Sequence, residues 1–108
     1  ASANLFWQKD GYLFTPPLST GALAGTRRHL IMQEYEVVES LETADQIRHA
    51  DALVATNSAY GAFAVSGLVP ASHDHASQKL AQQLREILEK REQQELASQQ
   101  SEWLVSLN

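Results

Sequence analysis

Strand-like and helix-like patterns alternate along these 108 residues. That alternation predicts a mixed α/β (α+β) fold, a sheet packed with helices and ending in a long C-terminal helix. Three observations carry the expectation. Two short aromatic-rich runs flank a tight-turn signal near the start. A helical pattern opens just after Gly25, and a long helical stripe follows a buried-strand pattern in the second half.

Asn4 to Gln8 and Tyr12 to Thr15 read as strands, and Lys9-Asp10-Gly11 between them is a hairpin signal. Leu5 and Trp7 fall on one face of the first strand and Phe6 on the other, so both faces are expected to be covered. Pro16 and Pro17 stop the second strand. Leu18 to Ala24 reads as an ordered loop leading into a helix over about residues 26–33, whose Leu30, Ile31 and Met32 supply a buried side. Tyr35 to Glu39 alternates weakly and is expected to be a strand. Thr43 can cap a short helix through about His49, with Ala44, Ile47 and Ala50 on its apolar side.

Asp51 to Thr56 is an apolar run with polar ends, as a buried strand requires. It breaks at Asn57 to Gly61, resumes at Ala62 to Val65, and gives way to an expected loop over Ser66 to His75. From about Ala76 a long helix is expected, because Leu80, Leu84, Ile87 and Leu88 share one stripe and Glu86 and Lys90 stand four residues apart. Beyond Arg91 the stripe fails. Gln93, Gln94, Gln99 and Gln100 read as a solvated face, and Trp103, Leu104, Val105 and Leu107 form an apolar end. The expected division is one domain over residues 1–92 and a helical tail over 93–108.

Composition narrows the function classes. Apolar residues at 44% and charged residues at 19% describe a globular chain, small for a complete enzyme. A net charge of −5 argues against non-specific nucleic-acid binding. The absence of cysteine removes disulfides, thiolate nucleophiles and Cys-ligated zinc. No apolar run approaches membrane-spanning length and no signal-peptide pattern opens the chain, so no membrane partner and a cytoplasmic location are expected. The start at Ala1, without Met and close to a strand, reads as a cut end.

Two stretches carry chemistry. Gly21 and Gly25 bracket a link that runs into the helix at Thr26. A helix start of this kind presents unpaired N–H groups and the positive end of its dipole, which suits a phosphate. Arg27 and Arg28 add positive charge where the dipole disfavours it, which points to an anion; the alternative is an ordinary loop-to-helix junction with two solvated arginines. The second stretch is Ala55 to Gly61, where a buried strand ends in small and hydroxylic residues. Ser58 Oγ and the N–H groups near Ala59 can cap an anion from that side, because ligands gather beyond the carboxyl ends of strands in open α/β sheets. His73-Asp74-His75 reads as helix N-terminal decoration and not as a metal cluster, and no Ser/His/Asp triad can be assembled.

Asn4-Leu-Phe-Trp, Asp10-Gly11, Thr15-Pro16, Ala24-Gly25-Thr26-Arg27-Arg28, Ala50-Asp51 and Thr56-Asn57-Ser58 through Val65 occur in that order. Order and spacing resemble the C-terminal half of the class IV (fold-type IV) pyridoxal-phosphate enzymes over about residues 1–68. That family includes branched-chain and D-amino-acid aminotransferases and 4-amino-4-deoxychorismate lyase, and the opening and the Thr-Asn-Ser run are most similar to the lyase. The resemblance implies pyridoxal 5'-phosphate as cofactor. It implies a cofactor-binding set of Gly25, Thr26, Arg27, Ser58 and Ala59, with the phosphate on the N–H groups of Thr26 and Arg27 and closed by Ser58 and Ala59. Arg28 would brace the turn.

The family's Schiff-base lysine and ring-nitrogen carboxylate would precede Ala1, and Lys9, Lys79 and Lys90 stand at none of the matching positions. The expected function is therefore the cofactor-binding half of a lyase of folate biosynthesis, inactive alone. The same half of an aminotransferase and a non-catalytic binding module are the alternatives. A small-molecule substrate and a homodimer are expected for the parent enzyme. Self-association is expected through the first hairpin, where another part of the parent would cover Phe6 or Trp7, or through the Trp103 to Leu107 end.

Overall fold

The computed structural model describes residues 4–17, 26–57 and 61–107, with the side chains of residues 26, 95 and 98–107 left aside. The hairpin pairs β1 (Asn4–Lys9) with β2 (Tyr12–Thr15) in antiparallel register. Asp10 and Gly11 close it with φ of 52° and 84°. Positive φ at both central residues gives a two-residue loop whose twist matches the strands, and Asp-Gly is the pair that tolerates it. The Asp10 N–H donates to Asp51 Oδ2 and Lys9 Nζ donates to the His49 carbonyl, which fasten the turn to a distant part of the chain.

Five strands form one sheet in the order β3 (Val37–Glu39), β2, β1, β4 (Ala52–Asn57), β5 (Gly61–Ala64). β1 is antiparallel to both β2 and β4, β5 is antiparallel to β4, and β3 is parallel to β2. The parallel β2–β3 pair needs a crossover, supplied by α1 (Thr26–Glu34).

Both faces of the sheet are covered by this chain. On one face, Phe6, Leu13, Val54 and Ala62 pack against Leu30 and Ile31 of α1 and against Leu80, Leu84 and Leu88 of α3 (Asp74–Leu107). On the other, Trp7 and Leu53 pack with Ala50 and Val69 in a smaller cluster, joined by Leu5, Phe14 and Ile47. The Trp7 and Phe14 rings stack at 5.9 Å. Phe6 and Trp7 are 0% and 1% exposed, so neither is the uncovered surface expected of the hairpin; Tyr12, at 62%, is its exposed apolar residue. The Trp103 to Leu107 side chains lie outside the described residues.

Several boundaries differ from the sequence expectation for local reasons. Tyr35 N–H bonds to the Ile31 carbonyl, so Tyr35 completes the helix end and the strand begins only at Val37. α2 (Ala44–Ile47) is shorter than expected, although Thr43 caps it in a full capping box with Gln46. The expected loop over Ser66 to His75 contains a 3-10 turn at Ala71–His73, and α3 starts at Asp74, whose carboxylate suits the first helical turn. α3 then runs unbroken to Leu107 through the glutamine-rich stretch. No described helix is long and apolar enough to cross a membrane.

One polar bond ties α3 to the middle of the sheet. Val65 N–H donates to the Leu53 carbonyl, but the Leu53 N–H goes to Ser77 Oγ at 2.9 Å, and Ser77 is fully buried. Ser77→Ala leaves that N–H unpaired in the core. It should lower stability by about 1–3 kcal/mol in urea unfolding followed by circular dichroism, and a loss near zero would show that the bond is replaceable.

Candidate functional site

Strand directions decide where the start of α1 and the end of β4 lie. Because β1 is antiparallel to β2 and to β4, the carboxyl ends of β2 and β4 fall at the same end of the sheet. The carboxyl end of β3 joins them through its parallel pairing with β2. α1 starts at that same end: the Arg28 guanidinium donates through one nitrogen to the Pro16 carbonyl, just past β2, and to Glu39 Oε1, at the end of β3, both at 3.2 Å. The start of α1 and the end of β4 therefore share one end of the sheet.

The two arginines of that first turn are not solvated alike. Arg28 is buried, 6% exposed, and holds α1 against β2 and β3. Arg27 is partly exposed and pairs with Glu92 of α3 at 3.3 Å. Arg91 reinforces the same helix contact through Glu34 at 2.7 Å and Gln33 at 3.0 Å. The first turn of α1 contains no acidic residue, so its positive charge is balanced from Glu39 and Glu92. Nε of both arginines is buried without a hydrogen-bond partner among the described residues.

Of the expected set, Thr26 opens α1 and Arg27 follows it in the first turn. Gly25, Ser58 and Ala59 lie outside the described residues, so their placement remains an expectation. His73 Nδ1 meets the Ala50 carbonyl at 2.9 Å, which gives the His-Asp-His stretch a bracing role. Among the described residues no group of three or more His, Asp or Glu side chains is placed to hold a metal ion. Shallow concavities around Arg48, Leu68 and Pro70 and along His75, Lys79 and Arg85 lie on other elements.

Sequence reasoning missed one pair. Asn4 and Thr56 are direct partners across β1 and β4, on the face that α1 and α3 cover. They are 5% and 1% exposed, and Asn4 Oδ1 and Thr56 Oγ1 have no hydrogen-bond partner among the described residues. Their signal was available: each is a polar residue in phase with a core position, two residues from Phe6 and Val54. Buried polar atoms left open at the sheet end where a phosphorylated cofactor is expected fit such a ligand.

Comparison with known proteins bears on the family of the chain. A family profile described as amino-transferase class IV matches residues 1–68. No curated protein matches significantly. A solved Legionella pneumophila structure assigned as a 4-amino-4-deoxychorismate lyase is 31% identical, with a TM-score of 0.61 over 80% of this chain and 35% of that one. The Escherichia coli branched-chain amino acid aminotransferase is 26% identical, with a TM-score of 0.66 over 78% of this chain and 30% of that one. A fold IV transaminase from Curtobacterium pusillum, 24% identical, shares the fold with a TM-score of 0.70 over 87% of this chain and 33% of that one. The chain spans about a quarter to a third of the length of the solved structures it matches.

Arg28 gives the site a stability test. Arg28→Ala removes the link from α1 to Pro16 and Glu39 together with a buried aliphatic stem, and should cost about 2–4 kcal/mol in chemical unfolding. Arg28→Lys should recover less than half of that, because a point charge does not replace a planar guanidinium. Full recovery would mean that charge alone holds the turn.

Proposed function

The chain belongs to the class IV aminotransferase family, and from that membership we propose that it is the cofactor-binding part of a 4-amino-4-deoxychorismate lyase. Such an enzyme forms 4-aminobenzoate and pyruvate in folate biosynthesis, in the cytoplasm, as a homodimer acting on a small-molecule substrate. The observation that carries the lyase reading is the Asn4-Leu-Phe-Trp7 opening and the Thr56-Asn57-Ser58 run, supported by the 31% identity to the Legionella protein. An aminotransferase is the second reading, favoured by the likeness to the branched-chain enzyme.

In this proposal pyridoxal 5'-phosphate is held by its phosphate, on the N–H groups of Thr26 and Arg27 at the start of α1 and on Ser58 and Ala59 after β4, with Gly25 leaving room for the anion. When bound, the cofactor supplies an electron sink for bond cleavage at an amine-bearing carbon. This chain's own residues bind and orient it. Arg28 sets the angle at which α1 leaves the end of the sheet, and Glu92 holds the Arg27 side chain beside the anion without removing its charge.

The chain's three lysines are poorly placed for the covalent role. Lys9 ends β1, five residues from Asn4, about 17 Å along the strand from the proposed site. It is held there by the His49 carbonyl. Lys79 and Lys90 are exposed on α3. In this proposal none of the three lysines takes the covalent role.

The chain should bind pyridoxal phosphate measurably in a fluorescence titration, and Ser58→Ala should weaken binding by about 1–2 kcal/mol, the scale of a hydrogen bond to a charged group. An unchanged affinity would remove Ser58 from the site. In the full-length protein, pyruvate release from aminodeoxychorismate supports the lyase, whereas amino transfer to a 2-oxo acid supports the aminotransferase. Turnover by residues 1–108 alone, abolished by replacing one of its three lysines, would overturn the reading.

A further inference from the structure

Asn4 and Thr56 are the two buried side chains whose placement the fold does not explain. They face one another across the central β1–β4 ladder, at the end where β2, β3 and β4 finish and α1 starts, and on the side of the sheet that α1 covers. Each is more than nine-tenths buried, and Asn4 Oδ1 and Thr56 Oγ1 lack partners among the described residues. A valine at position 56 would keep the shape and improve strand propensity while removing the unmet polar atom. A hydroxyl kept in a central strand, opposite an amide that is equally unmet, calls for a polar group that arrives from outside the described residues.

We infer that Asn4 and Thr56 are ligand contacts, which hydrogen-bond the phosphate of the bound cofactor from the floor of the sheet. The inference rests on the cofactor reading above and extends the phosphate site beyond the backbone N–H groups and Ser58. The Thr56 hydroxyl donates to a phosphate oxygen. The Asn4 amide, turned with Nδ2 inward, donates to the same anion, since its two orientations are close to equal in shape. Position supports the anionic end of the ligand: Thr56 lies next to the carboxyl end of β4, at the end of the sheet where α1 starts.

The test compares the native chain with Thr56→Val and Thr56→Ser, using pyridoxal phosphate and inorganic phosphate as separate probes, and reads ligand-free thermal midpoints alongside. The inference expects Thr56→Val to weaken both probes about tenfold and to keep or raise the ligand-free midpoint by a few degrees, because an unmet buried hydroxyl is gone. Thr56→Ser, which keeps the hydroxyl, should stay within about threefold of native affinity. A lower midpoint with unchanged affinity would show that the hydroxyl is satisfied within the fold, and would overturn the inference. A loss for pyridoxal phosphate with none for inorganic phosphate would overturn the assignment to the phosphate end. If the native chain binds neither probe, the cofactor reading itself fails, an outcome distinct from native binding that the variants leave unchanged.

Discussion

The antiparallel ladder between β1 and β4 is the constraint on which the other features depend. Five consecutive pairs, from Asn4 with Thr56 to Gln8 with Ala52, place the first strand of the chain in the middle of the sheet. With β2 on its other side, β1 forces β2 and β4 to run the same way. The chain must then leave β2 and β4 at one end of the sheet. The start of α1 and the end of β4, which are far apart in the sequence, come to the same end of the sheet for that reason.

The central position also explains why β1 is apolar on both sides. Phe6 enters the larger cluster under α1 and α3, and Trp7 enters the smaller one with Leu53 and Val69. A fully buried aromatic side chain contributes about 1.5–3 kcal/mol by removal from water, so this strand anchors both layers. Polar ties then set angles that apolar packing leaves loose. Ser77 fastens α3 to Leu53, Arg28 fastens α1 to the ends of β2 and β3, and the Arg27–Glu92 and Arg91–Glu34 pairs hold α1 along α3. Exposed ion pairs contribute little individually, and the buried Ser77 and Arg28 contacts matter more for stability.

Much of the local structure was legible in the sequence. Asp10-Gly11 names its own turn, the apolar run at Ala52 to Thr56 names a buried strand, and Leu80, Leu84 and Leu88 name the buried side of α3. Strand order was not legible, because periodicity says that a strand is buried without saying which distant strand covers its edge. The boundaries at Tyr35 and Asp74 depended on single hydrogen bonds and on a 3-10 turn that no periodic pattern announces. At the site, Arg27 and Arg28 looked equivalent in sequence. Their partners, Glu92 on one side and Pro16 with Glu39 on the other, are known only once the chain is folded. Asn4 and Thr56 were passed over because a polar residue beside an apolar run looks like the strand's end.

The account stands or falls on whether the start of α1 and the segment after β4 make one anion site. A crystal structure of the chain grown with pyridoxal phosphate measures this directly. The account predicts phosphate density within hydrogen-bond reach of the Thr26 and Arg27 N–H groups and of Ser58 at once. Phosphate bound elsewhere, for instance along Lys79 and Arg85 of α3, or Ser58 directed away from the start of α1, would contradict it.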